Sequence, residues 1–299
     1  MKILSLFGAV TFSFILSLVS FHAQAQSDVK VYRVADEESF IKALHSNSHI
    51  YIAKNTDIML SDILEKEGDG RIFAMSPLRA GEYLTLDSSP GIFRSEVFDG
   101  IELILNGLEN ITIEGEGESR SRILVSPRYA NVLNFKDCAN IKLVNLEIGH
   151  TEEGYCEGGV LNLISCDNIE VKNCELFGCG TIGVLAENSR NFRCISSVIC
   201  HCTYGIICLL PGNKNFLFQD CHMHHNEEFD LIELREGNKG IVFDRCRIEQ
   251  NRGTLFGLRS ILTLKDCYIN HEGEVGNIDL IKRIRGRFVF RPGQDMEEE

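Results

Sequence analysis

The chain has 299 residues, 44% of them apolar, and a formal net charge of −13 at neutral pH. That is enough chain and apolar surface for one large domain or two small ones. The acidic balance, with KRIRGR (282–287) as its one basic run, excludes a nucleic-acid partner and disfavours an acidic polysaccharide unless cations intervene.

In chain order, Met1–Lys2 is a positive start, Ile3 to Phe21 is nearly all apolar, and Ala23-Gln24-Ala25 fits a small-x-small cleavage site. Residues 1–25 therefore read as a signal peptide. The apolar run is long enough to be a retained anchor, but the cleavage pattern implies removal, so the mature protein is expected to be secreted or periplasmic with no stable membrane anchor. Residues 26–99 form a lead-in containing KVYRV (30–34), an amphipathic DEESFIKALHS (36–46) and HIYIAK (49–54). Residues 273–299 are a C-terminal segment ending in the acidic Glu297-Glu298-Glu299.

Between these ends, residues 100–272 repeat. NITIEGEG starts at 110, NIKLVNLEI at 140, NIEVKNCEL at 168, NFRCISSVI at 191, NFLFQDCHM at 215, GIVFDRCRI at 240 and ILTLKDCYI at 261. The spacings are 30, 28, 23, 24, 25 and 21 residues, a near-fixed period that marks a solenoid. Within a unit, apolar residues alternate with period two and slip by one at positions such as Lys172-Asn173. Two short strands joined by a bend produce that slip, whereas helices need apolar residues at i, i+3 and i+4. A third strand precedes each Asn, as in Leu161-x-Leu163. Three short strands per coil predict an all-β, single-stranded parallel β-helix of about six or seven coils.

The NIxVxNCxI pattern resembles the right-handed parallel β-helix repeat of the pectin-lyase-like superfamily over residues 100–272. The resemblance implies that residues 26–99 form an N-terminal α/β cap, with DEESFIKALHS closing the open end of the apolar cylinder. Family enzymes that cleave uronate polymers gather Asp side chains around calcium beside an Arg or Lys base. Here Asp220, Asp230 and Asp244 are not expected to form such a cluster, the WxDH-type signature is absent, and there is no Trp. Tyr204, Phe229 and Tyr268 replace Trp as sugar-stacking rings only in part.

Stacked coils turn sequence positions into columns. Asn110, Asn140, Asn168, Asn191 and Asn215 form a turn column, because Asn tolerates left-handed backbone and can bond along the stack. Leu146, Cys174, Ser197, Cys221, Cys246 and Cys267 form an inward column, where cysteine serves as a small apolar filler. These thiols are expected to be free, although neighbours such as Cys221 and Cys246 are close enough for a disulfide. Cys208 aligns with Leu161 and Val184 as inward, which sends Leu185, Ile207 and Leu209 outward as an apolar strip for the C-terminal segment, the loop 61–99 or a partner protein to cover.

The stretch DCHMHHNEEFD (220–230) falls at a turn. His201 and His225 share a column with His150, Gly178, Gln250 and His271. His201, Cys202, His224 and His225, with Cys179 below, are the candidate ligands of a divalent metal, since imidazole and thiolate suit zinc-like ions. The alternatives are a stacked polar turn and a Cys179–Cys202 disulfide. Glu233 and Arg235 project outward from the next strand and, with His222, are the candidate catalytic residues of an acid/base or sugar-binding site. The expected function is binding or processing of an extracellular carbohydrate, by a polysaccharide lyase or glycoside hydrolase if an enzyme. The alternative is a non-catalytic surface or periplasmic scaffold.

Overall fold

The computed structural model describes residues 28–64, 74–75, 90–152, 158–178 and 182–290. The expected signal peptide and acidic tail, most of the loop 61–99 and part of the loop His150–Gly158 lie outside them. The described residues wind through seven coils that each contribute strands to three faces. Face one holds Gly100–Asn106, Leu133–Lys136, Leu161–Ile164, Ile182–Glu187, Gly205–Leu209, Ile232–Leu234 and Phe256–Leu258. Face two runs from the lead-in strands Lys30–Val34 and Ser48–Ile52 through Glu109–Gly115, Ala139–Val144, Asp167–Lys172, Arg190–Ile195, Lys214–Gln219 and Lys239–Asp244. Face three runs from Asp57–Met59 through Ser121–Val125, Leu146–His150, Glu175–Phe177, Val198–Cys200, His222–His224 and Arg247–Glu249. The long strand Leu262–His271 closes faces two and three, and Ile281–Phe290 pairs parallel to it as the last rung.

Alternation puts one side of every strand into a single apolar cylinder. Leu143, Val171, Cys194, Phe218, Phe243 and Leu264 are in register and fully buried, as the repeat predicts. At the start, Asp36 caps the helix Glu37–Ala43 by accepting from the Ser39 N–H at 2.8 Å. That helix buries Phe40 and Ile41 against the open end of the cylinder.

The corners show why the repeat carries Asn and Cys. Asn110, Asn140, Asn168, Asn191 and Asn215 all have φ between 56° and 58°, and Gly240 takes the next place at 68°. Their amides bond along the stack, with Asn168 Nδ2 donating to Asn140 Oδ1 at 2.7 Å and Asn140 to Asn110 at 2.9 Å. The cysteines do more than fill space. Cys174, Cys221, Cys246 and Cys267 donate to the carbonyls of Leu143, Cys194, Phe218 and Phe243 on the preceding coil, at 3.2–3.4 Å. At the corner after face one, Cys138, Cys166, Ser189, Asn213 and Asn238 make the same bond in sequence. A small donor at a buried corner supplies a further bond to a carbonyl, which has two lone pairs: those of Ala186 and Leu209 also accept the backbone N–H groups of Leu210 and Arg235, and Cys, Ser and Asn interchange there. Burial pushes the Cys138 thiol up to about 12 and the Cys174 thiol up to about 11, so both remain protonated donors. The described cysteines are all buried, and none is bonded to another of them.

One register differs from the sequence expectation. Val184 pairs with Ile207 and Ala186 with Leu209, which places Ile207 and Leu209 inside and fully buried. Cys208 instead joins Leu185 on the outer side. The segment Gly205-Ile206-Ile207-Cys208-Leu209 has no polar residue to set its phase, so composition alone allowed either register. The apolar strip Leu185, Ile207, Leu209 therefore does not exist as an exposed surface.

Candidate functional site

On the outer side of face one, Asn134, Asn162, Leu185, Cys208, Glu233 and Gly257 form one column. Glu233 stands between a thiol and a glycine. Its Oε2 accepts from the Cys208 Sγ–H at 3.1 Å and its Oε1 from the Arg235 guanidinium at 2.7 Å, so both oxygens are held. Burial, then the Glu233 carboxylate, push the Cys208 thiol up to about 12, which makes it a donor and not a nucleophile. Gly257 leaves space that the Asp230 carboxylate fills. Partial burial first, and the Glu233 charge second, raise the affinity of Asp230 for its proton.

Tyr204 and Phe229, from consecutive coils, rise beside these groups with ring centroids 4.9 Å apart. Together with Ile182, Cys208, Asp230, Glu233, Arg235 and Thr254 they line a cavity of about 400 Å³. A more open trough of about 750 Å³ continues past Asp230, Glu233 and Arg235 to Arg259 and Glu274. Two neighbouring carboxyl groups, one with raised proton affinity and one clamped between donors, are equipped for proton transfer in opposite directions. Aromatic faces and charged edges in one cavity suit a ligand with apolar faces and polar rims.

The expected catalytic trio is divided. Glu233 and Arg235 come together on face one. His222 stands on face three, paired with Val198 and Arg247, and its Nε2 meets Glu249 Oε1 at 3.0 Å. Sequence reasoning passed over Asp230 as part of this cluster and placed Cys208 inside. The available signal was the coil offset, since Cys208, Glu233 and Gly257 are one coil apart, as are Tyr204 and Phe229.

The expected metal set is divided as well. His201, His224 and His225 do cluster: the His201 and His225 rings stack at 5.4 Å, and His224 Nδ1 lies 2.7 Å from His225 Nδ1. Cys202, however, is fully buried in the core, with its thiol turned to the Cys200 carbonyl. Among the described residues no three His, Cys, Asp or Glu side chains are arranged to hold a metal ion, and Cys179 lies outside those residues. Asp220, Asp230 and Asp244 do not form one cluster: Asp230 lies in the face-one cavity, and Asp220 and Asp244 pair with cations of the chain itself. Arg245 bonds Asp220 at 2.7 Å and Asp244 at 3.1 Å, and Lys265 reaches Asp244 at 3.3 Å. Carboxylates already neutralised in this way do not fit a calcium cradle.

Residues 131–278 match the family described as the right handed beta helix region. The fold is similar to that of a pectate lyase from Paenibacillus sp. 0602, with a TM-score of 0.53 and 9% identity over 89% of this chain and 79% of that one. A second pectate lyase, Pel9A, aligns with a TM-score of 0.45 and 11% identity over 88% and 78% of the two chains. No curated protein matches the sequence. The chain has the right-handed parallel β-helix fold.

Proposed function

We propose that this is an exported protein that binds and cleaves an extracellular carbohydrate in the face-one cavity. The observation that carries the reading is the Asp230–Glu233 pair beside Tyr204 and Phe229. Asp230 acts as proton donor to a departing glycosidic oxygen. Glu233, oriented by Arg235 and Cys208, takes a proton from the water whose oxygen bonds to the anomeric carbon as the glycosidic C–O bond breaks, and the two rings stack on sugar faces. The alternative, a scaffold without chemistry, was motivated in part by an apolar strip whose residues Ile207 and Leu209 are buried. The fold shared with the pectate lyase from Paenibacillus sp. 0602 supports carbohydrate as the ligand class by analogy of fold alone.

The test is affinity electrophoresis of the mature protein through gels cast with different polysaccharides, together with assays for new reducing ends and for unsaturated products. Retardation in at least one gel is expected. Product release should fall by about a hundredfold or more in Glu233→Gln and Asp230→Asn, with retardation largely kept. Products formed at the same rate by both variants would remove these residues from the chemistry. No retardation and no products from any polysaccharide would overturn the reading.

A further inference from the structure

The cavity and the trough on face one meet at the Asp230–Glu233 pair. The cavity, of about 400 Å³, runs from Tyr204 on coil five to Phe229 on coil six. The trough, of about 750 Å³, runs from coil six over Arg259 on coil seven to Asn277. Asp230, Glu233, Arg235 and Thr254 line both, so neither space ends at the carboxyl pair. The bridge between Phe256 and Gly276 sets Glu274 and Asn277 one level above coil seven. At roughly 4.8 Å per coil, the joined groove extends about 14 Å along the solenoid axis from Tyr204 to Asn277.

The two arms of this groove differ in chemistry. In the first, a partly buried Tyr204 supports Phe229, whose ring is 61% accessible. In the second, the pairing of Leu234 with Leu258 puts Arg259 in the column of Arg235, one coil on. Arg235 is occupied by Glu233 at 2.7 Å. Arg259 is exposed, and among the described residues its side chain has no hydrogen bond or ion pair. Its guanidinium therefore lines the trough with its donors unspent. Its charge reaches as far as Asp230, whose hold on a proton it weakens. An aromatic arm and a cationic arm, joined through two carboxyl groups, suit a ligand that extends past the pair in both directions.

We infer that a linear glycan lies across the carboxyl pair and is cut at internal bonds, with one sugar stacked on Tyr204 and Phe229 and a sugar beyond the scissile bond held by Arg259. This assignment rests on the proposed carbohydrate cleavage and names its substrate class, a polymer and not a terminal or single sugar. Asp230 gives its proton to the departing glycosidic oxygen, and Glu233 takes one from the water that bonds to the anomeric carbon. Each cut thus consumes one water and leaves one new hydroxyl and one new reducing end. Pyranose faces are rich in C–H groups and stack on aromatic rings, whereas the guanidinium donates to hydroxyl oxygens in a fixed planar geometry. Arms of unlike chemistry set which end of the glycan points toward Asn277.

The test incubates the mature chain with soluble xylan, galactomannan, mixed-linkage β-glucan or polygalacturonate while viscosity and reducing ends are followed together. For the polymer that is cut, viscosity should fall well ahead of reducing-end release, and the first products should be oligosaccharides. A hexasaccharide of that polymer, labelled at its reducing end, should be cut at an internal bond. Arg259→Ala should raise the KM for it about tenfold with kcat little changed, as expected from losing charge-assisted bonds made equally in ground and transition states. It should also move the cut toward one end of the hexasaccharide, and Phe229→Ala should move it toward the other. Both side chains are exposed, and unchanged melting curves would show the variants folded. Viscosity that falls only in step with reducing ends, with a mono- or disaccharide as first product, would overturn the two-sided groove while leaving the proposed function intact. A wild-type KM and cut position in Arg259→Ala would overturn the assignment of the second arm. No products from any polymer would overturn both readings.

Discussion

The carboxylate of Asp230 lies over Gly257: a Cβ on Gly257 would stand 2.2 Å from Asp230 Oδ2 and 2.4 Å from its Cγ. The glycine is part of the site although it has no side chain. Its φ lies outside the left-handed region, so Gly257→Ala meets no backbone penalty and acts through this one contact. The added methyl should cost about 1–3 kcal/mol if Asp230 stays in place, as overpacking does. If Asp230 swings away instead, the cost shrinks and product release falls as far as in Asp230→Asn. Melting curves and product assays on Gly257→Ala, and on the Asp230→Gly/Gly257→Ala double variant, which also removes the Asp230 Cβ that would lie 2.7 Å from the added methyl, separate the two. The double variant should regain stability but not activity, which is the non-additivity expected of residues in contact. A wild-type rate in Gly257→Ala would show that Asp230 has no fixed position in the chemistry.

The Asn corner permits a separation of backbone and side-chain effects. Asn168 combines a φ of 57° with a hydrogen bond to Asn140. Asn168→Gly removes the bond and keeps the backbone at ease, whereas Asn168→Ala also forces a Cβ into left-handed geometry. The alanine variant should be less stable than the glycine variant by about 1–2 kcal/mol. Urea midpoints measured on both variants decide this. Equal midpoints would mean the corner relaxes out of the left-handed region once the amide is gone.

The coil could be read from the sequence because the corner imposes two demands that few residues meet. A left-handed position selects Asn or Gly, and a buried corner carbonyl selects Cys, Ser or Asn. These recur once per coil whatever the strands contain. Face one was less legible. Between Gly205 and Leu209 every residue is buried, so alternation carried no phase and the register of Cys208 went the wrong way. The site was hidden for a related reason. Asp230 belongs to it through an absence, the missing side chain of Gly257, and Cys208 through a register that only strand pairing settles. Glu233 and Arg235 were legible because Ile232 and Leu234, both fully buried, fix the phase of that strand.

His224 sets the acid limit of face three. It lies among His222, His225 and His201, with ring centroids 4.4, 4.9 and 6.0 Å away, and Glu249 is the carboxylate that favours its charge. Burial first, then repulsion from those three rings, lower its pKa from 6.5 to about 4. A histidine whose folded pKa is depressed binds its proton more readily in the unfolded chain. Its contribution to stability is therefore complete above about 6.5 and is lost as pH falls from there toward 4. Because much of the ring is accessible to solvent, the effect should be small but directional. Melting temperatures of wild type and His224→Gln, measured from neutral pH down through this window, should converge and then cross in favour of the variant. Glu249 contributes equally to both curves, since its pKa is lowered mainly by Arg247 and only secondarily by His222. Curves that remain parallel throughout would mean that the cluster relaxes on protonation and stores no pH dependence.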